Sequence, residues 1–268
     1  MLEFSKRIKM RKFDINTLPE KVKSIYESQM KWSENCWKNT LKENSKKIEL
    51  LLQDIELLDS WERFLKGKFG GVDSKFLPEI FMDAYLSIHL ACMGLYKQAN
   101  TSMRLQLESV LRLIYFSQHP VEFKWWVEGA NYFKKNDVWA DGFAYFKRLE
   151  EYKSFIKKCN GNGYNKDFFE KVGELYGNLS KFVHGGPACF HTSEGNFSPK
   201  YKKGDFNKWM NNFVVLESYI HIMLIIGFSI EFKSMSKSDQ KKILKSIKDG
   251  KFRKSIIQSL GLKFRGRI

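Results

Sequence analysis

The chain has 268 residues, 43% of them hydrophobic and 15% aromatic, which is enough apolar surface for a packed core. It carries 46 Lys and Arg against 30 Asp and Glu, a formal charge of +16, with five prolines and four cysteines. These numbers exclude a collagenous, disulfide-framework or transmembrane chain, and the length fits one large domain or two small ones.

Residues 1–17 read as a basic lead-in. Pro19 fits the first turn of a helix, with Thr17 as its cap. From Pro19 to Lys66 there are almost no breakers, and Val22, Ile25, Met30, Trp37, Leu41, Ile48, Leu51, Ile55 and Leu58 recur at helical spacing. This predicts one very long helix, or a helical hairpin broken near Asn44–Ser45. The GKFGGVD stretch, 67–73, is a turn.

Residues 78–117 read as two successive helices or one long one. Pro78 opens the first, with Ile80, Tyr85, Ile88, Cys92 and Leu95 on its apolar face. Met103, Leu107, Val110, Leu111 and Ile114 follow on the second. Pro120 starts a short helix. Residues 131–163 hold an aromatic-rich stretch, then a helix near 147–159. A helix over 167–183 ends at His184-Gly185-Gly186-Pro187. Residues 188–204 read as a polar loop.

Asp205 is expected to cap an apolar helix over 206–232, whose run from Phe213 to Ile230 is interrupted by Glu217 and His221. The run is too short for a membrane span and reads as a core helix. Ser236 or Ser238 caps a basic helix near 239–248. A last helix near 251–260 precedes GLKFRGRI, which is expected to fray. No alternating strand pattern is long enough to count. The fold class is all-α: a helical bundle over 76–232, with a long N-terminal helix or hairpin in 1–75 and basic helices and tail in 233–268.

The charge is unevenly placed. Residues 1–12 hold five Lys/Arg and one Glu, and 233–268 hold twelve Lys/Arg and two Asp, so the ends carry +4 and +10 of the +16. Two basic ends on a neutral body suit a polyanion, most often nucleic acid, or serve as a solvated surface. Lys251, Arg253, Lys254, Arg265 and Arg267 are the candidate phosphate contacts of the C-terminal segment. The basic N-terminus lacks the apolar run of a signal peptide, which predicts a cytoplasmic protein without membrane contact.

Cys36, Cys92, Cys159 and Cys189 form no C-x-x-C pair and read as reduced, partly buried thiols. No phosphate loop, dinucleotide fingerprint, zinc helix or nucleophile elbow occurs, so neither metal nor cofactor is expected. Of the histidines, His89 and His221 read as core residues, His119 as structural and His191 as solvated. Trp125, Trp126 and Tyr132 are core or base-stacking aromatics.

Two constellations carry chemistry. In LYGNLSKFVHGG, 175–186, the spacing puts Asn178, Ser180, Lys181 and His184 near one face. An amide, a hydroxyl, a cation and an imidazole together can bind phosphate and move protons. The plainer reading is a helix C-terminus where His meets the negative dipole end. In the second, Arg104, Glu108, Arg112 and Tyr115 share a face at steps of 4, 4 and 3. They form either an internal salt-bridge ladder or an arginine fork turned towards the His184 helix.

The stretch MRLQLESVLRLIYFSQHPVEFKWW, followed by LYGNLSKFVHGG, resembles bacterial all-helical proteins related to HEPN domains, over roughly residues 79–190. The resemblance implies a helical bundle, commonly dimeric, of the toxin and antiviral defence type. Many such domains are metal-independent endoribonucleases with an R-x4–6-H motif. The His falls on His184. The Arg would fall on 177–179, which here are Gly177, Asn178 and Leu179, so Lys181 or Arg104 would take its place.

The resemblance implies 2′-OH chemistry with His184 as acid or base and Lys181 or Arg104 stabilising charge. Asn178 and Tyr176 would position the backbone, and Ser180, Glu108 and Arg112 would line the site. The other readings are a non-catalytic helical interaction module, pairing with itself or with a protein partner of a defence system, and a DNA-binding accessory subunit.

Overall fold

The residues that pack on every side of the sequence are those of 96–118, and they form the helix at the centre of the molecule. The computed structural model describes residues 15–129, 135–164, 167–183 and 200–264, with backbone alone for 135–141. Among them are eleven α-helices and no strand, so the class is all-α. The helices are α1 (Glu20–Leu65), α2 (Val72–Cys92), α3 (Tyr96–Gln118), α4 (Pro120–Val127), α5 (Lys135–Arg148), α6 (Glu150–Gly161), α7 (Phe168–Val183), α8 (Lys203–Gly227), α9 (Ser229–Ser234), α10 (Lys237–Ser246) and α11 (Gly250–Ser259).

The central helix α3 packs against α2, α5, α7 and α8. Leu107, Val110, Leu111 and Leu113 are wholly or almost wholly buried, so its apolar surface is wider than one stripe. The apolar helix α8 is the second core element, with Ile220 to Ile226 buried. Among the described residues it is the one helix long and apolar enough to cross a membrane, and 61% of its apolar window lies inside the bundle. One continuous apolar core runs from Ile48 to Leu260, through all three segments.

The helix α1 runs unbroken for 46 residues, so there is no hairpin. At the expected break, buried Asn44 donates to Thr40 O at 3.3 Å and to Tyr201 Oη at 3.0 Å. An amide with buried partners has no reason to open the helix. Pro19, rather than Thr17, stands at its N-cap. Burial on α1 begins at Cys36, so Val22, Ile25, Met30 and Leu41 are exposed despite their helical spacing. Periodicity marks an apolar face, and only a neighbour buries it.

Pro78 lies inside α2 and does not open it. The helix begins earlier, at the left-handed Gly71, and Asp73 accepts the Gly67 N–H at 2.8 Å to fix the turn. An interior proline costs about 3 kcal/mol. Its neighbours Phe76, Leu77 and Ile80 are buried and offset that cost. Tyr85 and His89 are exposed, against expectation, and the His89 ring instead meets Trp37 at 5.4 Å.

Pro120 opens α4 as expected. His119 stacks on Tyr115 at 4.1 Å, and its Nδ1 lies 2.7 Å from Tyr115 O. The aromatic-rich stretch forms α5, with α6 after it. Lys202 rather than Asp205 caps α8, and Asp205 sits in the first turn, where a carboxylate favours the positive dipole end. Ser236 caps α10, its Oγ accepting Asp239 N–H at 3.1 Å.

The expected fraying at the C-terminus does not hold through Phe264. Gly261 takes a left-handed conformation, and Leu262 N–H donates to Ile257 O at 3.0 Å. That bond reverses the chain at the end of α11. Leu262 and Phe264 pack against the core.

Candidate functional site

Arg104, Glu108 and Arg112 stand one turn apart on α3, where it faces α7. Arg104 Nε donates to Glu108 Oε1 at 3.0 Å, and Arg112 Nη2 to Glu108 Oε2 at 3.2 Å. The three side chains are only 15–19% exposed. The salt-bridge ladder is present. Arg104 Nη2 also crosses to α7 and donates to Tyr176 Oη at 2.9 Å, with its guanidinium 4.9 Å from the ring centroid. Tyr176 Oη in turn lies 3.1 Å from Glu108 Oε1 as a donor. Burial, with Glu108 beside it, raises the Tyr176 phenol. Two guanidiniums and one carboxylate, half-sheltered from water, form a site that favours a further anion. Tyr115 does not join them, being buried in an aromatic cluster with His119 and Tyr145.

Asp83 on α2 completes this cluster, and no sequence signal marked it. Burial raises its carboxyl to about 6, helped by Glu79 and Glu108 and opposed by Arg112. A carboxyl that titrates near neutral pH beside Arg112 can set the charge of the site. Only the packing of α2 against α3 brings it there.

The constellation of 175–186 divides. Ser180 Oγ turns back to Tyr176 O at 2.8 Å, on the α3 side of α7. Lys181 Nζ donates to Asn178 Oδ1 at 3.0 Å, and both are exposed. Thus Asn178 and Lys181 do not share a face with Tyr176 and Ser180, because a helix puts residues two apart on nearly opposite sides. Asn178 opens instead onto a shallow hollow of about 320 Å³ with Lys171, Glu174 and Tyr219. His184 lies outside the described residues, as do Cys189, His191, Tyr132, Arg265, Arg267 and the basic lead-in through residue 14. Cys36, Cys92 and Cys159 are buried and stand in no disulfide among the described residues, and burial raises all three, Cys92 to about 12 and Cys159 to about 11. Burial favours the thiol over the thiolate.

The basic C-terminal segment is part of the bundle. Ile243, Leu244, Ile247, Phe252 and Ile256 are buried, while Lys237, Lys242, Lys245, Lys248, Lys251, Lys254 and Lys263 are exposed. Lys248 pairs with Asp54 at 3.0 Å. Lys251 lies 5.4 Å from the Tyr164 ring centroid, where Lys171 also approaches. Arg253 and Lys254 line a cleft of about 610 Å³ with Gly250, Ile257, Gln258, Leu262, Lys263 and Phe264. The sequence reading missed Lys263 and Phe264, although Gly261 is the residue a helix-ending reversal needs. Trp126 belongs to the core, 5.3 Å from Phe76, whereas Trp125 is exposed.

Comparisons with protein-family models, with curated proteins and with solved structures find no match. Among the described residues no group of His, Cys, Asp and Glu is placed to hold a metal ion.

Proposed function

We propose that this chain is an RNA-binding protein of the bacterial defence or toxin type, working in the cytoplasm, and that α10 and α11 carry the contact. One observation supports this most directly. The apolar residues of the two helices are buried while their lysines are exposed, so the cations form a fixed surface rather than a loose tail. Fixed cations release condensed counterions from RNA without first being ordered. The likeness of residues 79–190 to HEPN domains favours RNA among polyanions.

The binding test is a charge reversal, because deleting 233–268 would remove core residues such as Ile243 and Phe252. The double variant Lys242→Glu/Lys254→Glu should keep its helical circular dichroism and bind labelled RNA at least tenfold more weakly at 50 mM salt. Wild-type affinity should also fall as salt rises from 50 to 200 mM. Affinity independent of both salt and these lysines would overturn the reading.

A second reading adds cleavage, supported by the bond from Arg104 to Tyr176 on the helix that leads to His184. There a base removes the 2′-OH proton, the oxygen attacks the neighbouring phosphorus, and the 5′-oxygen leaves with a proton from an acid. The products are a cyclic phosphate and a 5′-hydroxyl. Arg104 would stabilise the phosphorane. Cleavage of RNA in EDTA by wild type and not by His184→Ala would support it, and no cleavage by either leaves a binding module. A homodimer, in this reading, would pair through the exposed apolar residues Val22, Ile25, Tyr26 and Met30 of α1.

A further inference from the structure

The reversal at Gly261 lays Leu262, Lys263 and Phe264 back beside α11, and the space between them is the cleft of about 610 Å³. One wall is a single face of α11: Gly250, Arg253, Lys254, Ile257 and Gln258 recur at steps of three and one. The other wall is the returning chain. Both walls carry cations, Arg253 and Lys254 on one and Lys263 on the other, and among the described residues no carboxylate lines the space. Its apolar residues, Ile257, Leu262 and Phe264, are each packed on the core and therefore held in place. Lys237 Nζ sits 5.3 Å from the Phe264 ring centroid and donates to Gln240 Oε1 at 3.1 Å. Gln258 Oε1 accepts from Asn162 Nδ2 at 3.1 Å, which anchors the amide and leaves its N–H groups for another acceptor.

An apolar floor beneath converging cations fits a ligand that is flat and apolar at one end and anionic at the other. A nucleotide has that form. In a duplex the flat surfaces are stacked inside, so only the cationic rim can be used. An unpaired base can leave the strand and lie on the floor while its phosphates meet Arg253, Lys254 and Lys263. We propose, building on the RNA-binding reading above, that this cleft takes an unpaired nucleotide and makes the protein prefer single-stranded RNA. Phe264 supplies the stacking surface. Gln258 contacts the base edge.

The test measures fluorescence anisotropy with a labelled oligouridine and with an RNA duplex of equal length, both titrated at the same series of salt concentrations from about 50 to 200 mM. Wild type should bind the single strand about tenfold more tightly, the size that stacking one base on an aromatic ring supplies. Phe264→Ala should abolish that preference, leaving duplex affinity and the salt slope unchanged. Phe264→Leu, which keeps apolar packing but has no flat ring, should do the same if the alanine variant fails to fold. Lys263→Ala should weaken both ligands together and reduce the salt slope by about one contact.

Equal affinity for single strand and duplex, or a single-strand preference that survives loss of Phe264, would overturn the proposal while RNA binding stands. Binding of neither RNA would overturn the RNA reading and the proposal with it.

Discussion

Gln106 Nε2 donates to Glu217 Oε1 at 2.7 Å in the middle of the bundle, joining α3 to α8 where no water reaches either side chain. Two buried oxygens, Gln106 Oε1 and Glu217 Oε2, have no hydrogen-bond donor among the described residues when Glu217 is a carboxylate. Burial raises the Glu217 carboxyl from 4.5 to about 8. At neutral pH the group is therefore an acid, and its O–H can supply the donor that both orphaned oxygens lack.

The consequence is a loss of stability with rising pH. Below 4.5 both native and unfolded chains hold the proton. From 4.5 to about 8 the unfolded chain releases it and the native chain does not. Stability then falls by about 1.4 kcal/mol per pH unit. Glu217→Gln cannot lose a proton. Its melting temperature should match wild type near pH 4.5, exceed it increasingly up to pH 8, and keep a constant lead above. Parallel melting curves across this range would refute the assignment.

His221 acts with the opposite sign. Trp61 Nε1 donates to its Nδ1 at 3.4 Å, and burial lowers the imidazole from 6.5 to about 4. The unfolded chain takes up a proton below 6.5 that the native chain refuses, so stability falls as pH drops from 6.5 to 4. Between 4.5 and 6.5 the Glu217 and His221 slopes cancel, so wild type falls there only through Asp83, whose carboxyl is raised to about 6. His221→Leu should add the uncancelled Glu217 slope, a steeper decline than wild type between pH 4.5 and 6.5 in denaturant titrations. A variant no steeper than wild type over that range would sink the account.

Glu108 holds two guanidiniums in partial shelter. Glu108→Gln removes the carboxylate to which both guanidiniums donate and should cost about 2–4 kcal/mol. If the cluster accepts an anion, phosphate should restore more of the lost melting temperature than chloride at matched ionic strength, because a ligand of the native state stabilises by mass action. Equal recovery in both salts would show the cluster to be structural alone. Asp83 adds a pH dependence. Its carboxyl titrates near 6, so phosphate should stabilise wild type more at pH 5 than at pH 7.

Gly94 turns α2 into α3 with φ +74°, and a Cβ there would lie 2.9 Å from Lys200 O. Gly94→Ala meets both backbone strain and a backbone atom that cannot turn aside. The expected cost is about 2–3 kcal/mol, or roughly 5–10 °C in Tm for a chain of this size. Gly261 is also left-handed, at φ +64°, but a Cβ there meets nothing within 4 Å. Gly261→Ala should cost only about 1 kcal/mol. Similar losses at both sites, read by calorimetry, would contradict the close approach at Lys200.

Much of the architecture was legible because helix formation is local. The uninterrupted run to Lys66, Pro120 at a first helical position and Ser236 as a cap all act over three or four residues. The interior Pro78, the exposed Tyr85 and the unbroken helix at Asn44 were not legible. Each depends on a neighbour distant in sequence, such as Tyr201 beside Asn44. The candidate sites followed the same division. The Arg104–Glu108–Arg112 ladder is an i, i+4 pattern and could be read directly. Asp83 and Phe264 join their sites only through packing and chain reversal.

The sequence by itself determined the helical class, the apolar core helix and the two basic ends, since composition and period 3.6 are properties of neighbouring residues. Tertiary structure decided which apolar faces find cover and where Arg104 turns its guanidinium. It also decided that Glu217 and His221 lie dry enough to stay uncharged. Those outcomes follow from burial, which removes water from a group only when residues far along the chain close over it.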